Sequence, residues 1–442
     1  MSRGLGTRIR TALAGTVLAA LAIIIAPERA IAMGGAPCED PFLFSSAAVN
    51  AVVLPFRNSG PDHGGQLSEA GASLATLMQL EVLMSLIKYQ SVGAVVLREN
   101  EREGCDAVKV LKSLNGQIVP GHGLILIWGR LYEQEDQVYV QTYARFLRGK
   151  HSEEFEFGLT GNNDNLYTFK APLPTTSLAF APRRLSYDDI EQIKVEFREA
   201  TLVRPSPDPD ADGEVLHQDP DLPFAYTVTR VHDGWMYVNE RNGIQEGWIR
   251  ARNESAWPLR RKMPELALID AIAGYLRLRA GEAQGVPSAP SATAANVRRA
   301  IEMYREYSGE EESAIAEATA SVLQGLVILE SAPSLESAIE EASKEFSRAA
   351  EQAPSDTLVR NLAAMSPIIR YARINDNPKH AQEAVQMLLT ALSLDPDNTQ
   401  ALINLETLYD YLRQRPSDSP AFAPSELERR WEQVKTIRLN ID

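Results

Sequence analysis

The spacing of apolar residues changes character three times along this chain. In the first stretch, Ala48 to Phe56 (AVNAVVLPF) is a compact apolar run closed by Pro55, the pattern of a buried strand. From Gln66 to Tyr89 the period lengthens: Leu67, Ala70, Leu74, Leu77, Met78, Leu83 and Ile87 recur at helical spacing, with Ser68 and Glu69 near the start. Val92 to Leu97 predicts a second strand and Cys105 to Leu114 a shorter helix. Gly123 to Tyr132 (GLILIWGRLY) and Gln137 to Leu147 (QVYVQTYARFL) predict a hairpin turning at Glu133-Gln134-Glu135-Asp136.

The second stretch, 195–252, alternates at the period of two. Leu202-Val203-Arg204 precedes a polar Pro/Asp loop, and Tyr226-Thr227-Val228-Thr229 alternates like a strand. Gly234-Trp235-Met236-Tyr237-Val238 leads to an Asn242-Gly243 turn and then to Gly247-Trp248-Ile249. The third stretch, 263–415, returns to helical spacing and repeats itself. Ala342, Phe346, Ala349 and Pro354 spell A-x₃-F-x₂-A-x₄-P, and Ala384, Leu388, Ala391 and Pro396 spell A-x₃-L-x₂-A-x₄-P, 42 residues later. Leu402, Leu405 and Tyr409 follow the second proline at helical spacing. Gly281 to Ala295 (GEAQGVPSAPSATAA) reads as a mobile linker.

Each stretch resembles a known module. The opening strand ending in Pro-Phe, with Gly129 inside the strand before the hairpin turn, is similar to the amino-terminal α/β domain of TolB and of FlgO- and CsgG-type envelope proteins. That resemblance implies a non-catalytic protein-interaction unit. The two Gly-Trp pairs and the strand spacing of 195–252 resemble a bacterial SH3-like domain, which implies a small barrel of about five strands. Pro205 follows Arg204 directly, where that family usually has Ser-Gly-Pro. The Pro-marked motifs resemble tetratricopeptide repeats, although 42 residues exceeds that family's spacing of 34 and a generic helical bundle fits the same periodicity. The expected fold class is therefore multidomain α+β: an α/β domain over 33–180, an SH3-like barrel over 195–252, helical repeats over 263–415 and a tail over 416–442.

The amino terminus adds a compartment. Arg3, Arg8 and Arg10 precede an apolar run from Thr11 to Ala26, then Pro27, then Ala30-Ile31-Ala32, the pattern of a signal peptide ending near residue 32. Retention as an uncleaved anchor is the alternative. Export makes Cys38 and Cys105, the only cysteines, candidates for a disulfide, with two buried thiols as the other reading. The formal charge of −15 becomes about −18 without residues 1–32, which hold four Arg and one Glu; this argues against nucleic acid and anionic lipid as partners.

The search for chemistry excludes more than it finds. The six histidines show no H-E-x-x-H frame, and neither a G-x-S-x-G elbow nor a phosphate-binding glycine loop occurs. No catalytic residue and no cofactor is expected. Asp208, Asp210, Asp212 and Asp219, with Gly213 between them, follow calcium-loop spacing, but Pro207 and Pro220 bracket them and an acidic, Pro-rich loop accounts for them equally. Trp235, Tyr237 and Trp248 are candidates for the wall of a groove that takes a peptide or glycan, or else for barrel core. Asn404 and Tyr411 are placed on the inner face of the repeats, where a protein partner would lie. These readings together predict a non-catalytic periplasmic scaffold acting through protein partners, with peptidoglycan binding or an unrecognised enzyme as alternatives, and no membrane span once the signal is removed.

Overall fold

A computed structural model of the chain describes residues 43, 48–54, 56–59, nine helical positions between 67 and 82, 92–96, 114, 118, 122–134, 137–148, 154–161, 165–172, 177–200, 202–215, 224–232, 235–240, 245–250, 258–284, 290–309, 312–415 and 421–441. The expected signal peptide, Cys38, Cys105, most of the short helix beginning at Cys105, and Asp219 lie outside the described residues. All described residues belong to one compact unit, 35–442.

The protein is a mixed α+β structure whose strands all precede residue 251 and whose described residues after it are helical wherever they are regular. The strands are β1 (Val49–Val53), β2 (Arg57–Asn58), β3 (Val92–Val96), β4 (Gly123–Gln134), β5 (Gln137–Arg148), β6 (Glu154–Thr160) and β7 (Leu166–Pro172). There follow β8 (Ser177–Ala179), β9 (Arg183–Leu185), β10 (Leu202–Val203), β11 (Glu214–Val215), β12 (Phe224–His232), β13 (Trp235–Glu240) and β14 (Glu246–Arg250). The main sheet runs in the order β14-β13-β12-β3-β1-β4-β5-β8. Its centre is parallel, with β1 between β3 and β4, and its two wings are antiparallel. Both faces of the centre are covered, so β1 is buried at every position. Gly129, inside β4, is explained by packing: a Cβ there would lie 1.9 Å from the Phe56 ring.

The segment expected to form a separate barrel continues this sheet. β12 pairs with β3 from Phe224↔Val96 to Thr227↔Gly93, so β3 is not left as an edge strand with unsatisfied backbone groups. The start of the segment is also corrected: residues 195–200 end helix α1 (Tyr187–Ala200). Ser186 and Asp189 cap that helix reciprocally, each backbone N–H donating to the other's side chain at 2.9 and 3.0 Å. The backbone bond from Ser186 holds the Asp189 carboxyl below its ordinary pKa despite partial burial.

The helices are α2 (Pro258–Lys262), α3 (Glu265–Gln284), α4 (Pro290–Tyr307), α5 (Ala314–Ser331), α6 (Leu335–Gln352), α7 (Thr357–Ile369), α8 (Pro378–Leu394), α9 (Thr399–Gln414) and α10 (Pro424–Ile441). α3 is buried nearly all round, from Leu266 to Leu278, because it lies between the sheet and the later helices. The expected linker 281–295 is largely helical: α3 extends through Gln284, and Pro290 opens α4 in an Ala-rich run well suited to helix. Beyond it, α5 packs on α6, α7 on α8 and α9 on α10. The repeated motif residues Ala342, Phe346, Ala349, Ala384, Leu388 and Ala391 are all buried. Gly325 permits the close approach of α5 to α6, since a Cβ there would lie 2.5 Å from the Phe346 ring.

The 42-residue spacing follows from long helices: α5 and α6 have 18 residues each and α8 has 17. Pro367 sits inside α7 without a backbone N–H, and the helix widens into a π-helical turn at Arg370–Ile374 before Asn377 caps α8. The segment expected as a tail carries α10, whose Leu427 and Val434 are buried and whose Glu428 meets Arg413 of α9 at 2.9 Å.

Two buried charge networks tie the first part of the chain to the later helices. Arg260 of α2 donates to Glu81 at 2.6 Å and to Asp270 of α3 at 3.1 Å, with all three side chains at most 1% exposed. Arg183 of β9 donates to Glu265 of α3 at 3.3 Å and also pairs with Glu312; Thr142 of β5 donates to Glu265 at 2.8 Å. Burial pushes the Glu265 carboxyl above its ordinary pKa, with Arg183 opposing the shift.

Candidate functional site

Two surfaces stand out, one on the sheet wing and one within the helices. On the wing, alternation along β13 sends Met236 and Val238 into the core and Trp235 and Tyr237 to the opposite face. Ile249 of β14 is core, so Trp248 joins the opposite face, directly across from Tyr237. The three predicted aromatics therefore do share one face. Trp248 and Tyr237 meet edge to face at 5.3 Å, whereas Trp235 is only 7% exposed.

Sequence reasoning missed the cations on this face. Arg230 of β12 lies 3.9 Å from the Tyr237 ring centre and 5.5 Å from that of Trp248. Arg204 and Arg250 lie 5.7 and 6.0 Å from the ring centre of Trp235. The register places Arg230 opposite Tyr237 and His232 opposite Trp235, so the period-two pattern of β12 carried the signal. Partial burial and neighbouring Glu246 push the Tyr237 hydroxyl pKa up, against the opposing effect of Arg230.

Behind this face, Arg204 bridges β14: its N–H and C=O exchange hydrogen bonds with Trp248 at 2.8 and 2.7 Å. Its guanidinium closes the acidic loop by donating to the Ala211 carbonyl at 3.1 Å. The candidate calcium residues Asp208, Asp210 and Asp212 are exposed, and an Asp208 carboxylate oxygen accepts from the Asp210 backbone N–H at 2.9 Å in an Asx turn. Among the described residues no three His, Cys, Asp or Glu side chains come together as a metal-binding group.

The second surface is the inner side of α7 and α9. The sequence places Asn404 and Tyr411 there for a partner, but both are buried, and what covers them is the protein's own β6–β7 hairpin. Hairpin residues Phe157, Leu159, Tyr167, Phe169 and Ala171 are buried, and the Phe157 and Phe169 rings stack at 5.2 Å. The Tyr167 ring meets Tyr411 edge to face at 5.4 Å.

Polar contacts on this side go to the hairpin backbone. Asn404 accepts from the Lys170 N–H at 3.1 Å and donates to the Lys170 carbonyl at 2.5 Å. Asn361 of α7 orients it, accepting from its amide nitrogen at 2.9 Å. Arg373, in the π-helical turn, donates to the Gly158 carbonyl at 3.0 Å. The hairpin was legible in principle: aromatic residues alternate with polar ones in EFEFGLT and LYTFKAP, around Gly161-Asn162-Asn163-Asp164.

No protein-family model matches this chain, and no curated protein or solved structure matches it either.

Proposed function

We propose that this protein is a non-catalytic scaffold of the bacterial cell envelope that works through protein partners. The observation that carries the reading is the ladder of helix pairs α5–α6, α7–α8 and α9–α10, whose inner side presents carboxamides that hold an extended backbone. The buried small residues of α6 and α8 support the tetratricopeptide resemblance, with long helices, 18 residues in α5 and α6 and 17 in α8, accounting for the longer period. The strand order β3-β1-β4 followed by an antiparallel β5 is the arrangement that the TolB-like reading of 33–180 requires. The exported location rests on the basic and apolar pattern of residues 1–32. Cross-linking in intact cells tests the scaffold: covalent complexes with other envelope proteins are expected, and a chain recovered only as monomer contradicts it.

A second reading is favoured by the wing. β10, β11, β12, β13 and β14, joined through the Arg204–Trp248 bridge, support an SH3-like unit that shares its β12 edge with the main sheet. Its outer face of Tyr237, Trp248 and Arg230 suits a glycan strand bearing carboxylates, as peptidoglycan does, through stacking and charge. Co-sedimentation with isolated sacculi separates the readings. Pelleting lost in Tyr237→Ala/Trp248→Ala supports wall binding, and a protein that stays in the supernatant removes it.

A further inference from the structure

The inner side of α7 and α9 holds its occupant in an unusual way. Asn404 engages both the N–H and the C=O of one residue, Lys170, which is what a neighbouring strand does to a sheet edge. β7 pairs with β6 on one side only, so its second edge would otherwise require another strand or water. Asn361 fixes the carboxamide, and Arg373 donates to one carbonyl of β6, that of Gly158. These contacts read backbone and not side-chain identity; Lys170 directs its ammonium to Glu156 within the hairpin, at 3.0 Å.

From this geometry we infer that α7 and α9 form a reader of extended strand edges. The β6–β7 hairpin is its occupant within the chain, and a protein partner enters as an extended segment that replaces β7. The inference rests on the scaffold reading and names its ligand chemistry: a segment of about seven residues in β conformation, apolar at alternate positions. Alternation matters because Tyr167, Phe169 and Ala171 are the residues of β7 buried against the helices, while Leu166 remains 69% exposed. Recognition of the strand edge by side-chain carboxamides confers no strong sequence preference, so the apolar alternation sets what is accepted. The hairpin forms a two-stranded sheet of its own, so its departure would leave every pairing of the main sheet intact.

The test uses the full chain and a fluorescent synthetic peptide of residues 154–172. Lys170→Pro deletes the N–H that Asn404 accepts from and loosens the internal hairpin without altering the helices. The labelled peptide is expected to bind the Lys170→Pro chain at least tenfold more tightly than wild type, and Lys170→Pro/Asn404→Ala is expected to lose that gain. Equal binding to wild type and Lys170→Pro, or no binding to either, would make the hairpin a permanent part of the core and overturn the inference. Hydrogen exchange of the wild-type chain gives an answer independent of any variant's folding. Amides of 166–172 should exchange through openings that leave 314–352 protected, whereas exchange of both segments together would also overturn it. A chain that fails these tests yet still cross-links partners in cells would lose the strand reader and keep the scaffold.

Discussion

The sheet wing and the helical inner side were both expected as binding surfaces, and they differ in what lies on them. The wing presents half-buried Tyr237 and Trp248 with Arg230 stacked over them, all three from adjacent strands of one sheet. The helical side is covered by a hairpin from elsewhere in the chain, contacting residues more than 190 positions later. The wing follows from local alternation in two adjacent strands. The helical side depends on a long-range contact that no periodicity within the repeats encodes.

Substitutions can sharpen that contrast. The largest effect is expected from Arg260→Met, which deprives two buried carboxylates, Glu81 and Asp270, of their shared guanidinium. A loss of about 3–5 kcal/mol in denaturant unfolding is expected. Because that guanidinium joins the helical position Glu81 of the first region to α2 and α3, unfolding should remain one transition; two separate transitions would restore independent modules. Asn404→Ala comes next, with a loss of about 2 kcal/mol, since it removes both hydrogen bonds that Asn404 makes to the Lys170 backbone in a part-buried site. Tyr237→Ala on the wing should cost about 1 kcal/mol, because it removes a half-buried ring and its stacked cation but leaves no buried charge behind. A cost on the wing equal to that in the groove would erase the distinction.

The smallest effect concerns pH. Burial raises the Glu265 pKa in the folded chain above its unfolded value, so the folded state holds the proton more firmly. Its contribution to stability is complete below the ordinary value of about 4.5 and is lost as pH rises through the raised one. Glu265→Gln cannot titrate, so its stability relative to wild type should improve as pH rises above 4.5. Unfolding midpoints measured across pH check this, and a difference that falls with rising pH contradicts the sign.

Much of the architecture was readable from sequence. The β4–β5 hairpin turns where Glu133–Asp136 predicts, and the small residues of α6 and α8 are buried as their motifs require. The aromatic face was readable because strand alternation is a local rule. Three features were not. The joining of β12 to β3 depends on which edge strand needs a partner, and that is decided only once β1 lies between β3 and β4. The helical character of 281–284 and 290–295 was hidden by Gly and Pro residues that here flank or open helices. The hairpin at 154–172 carried a visible alternation, but its place against Asn361 and Asn404 arises from tertiary packing alone.

The most direct test of the occupied groove is a photo-cross-linker, p-benzoylphenylalanine, installed at position 411 of the full chain. Tyr411 meets Tyr167 in the structure, so irradiation followed by mass spectrometry should join residue 411 to a peptide within 154–172. Cross-links from position 411 that reach only other proteins, or only solvent, would show that the hairpin does not cover this surface and would contradict the account.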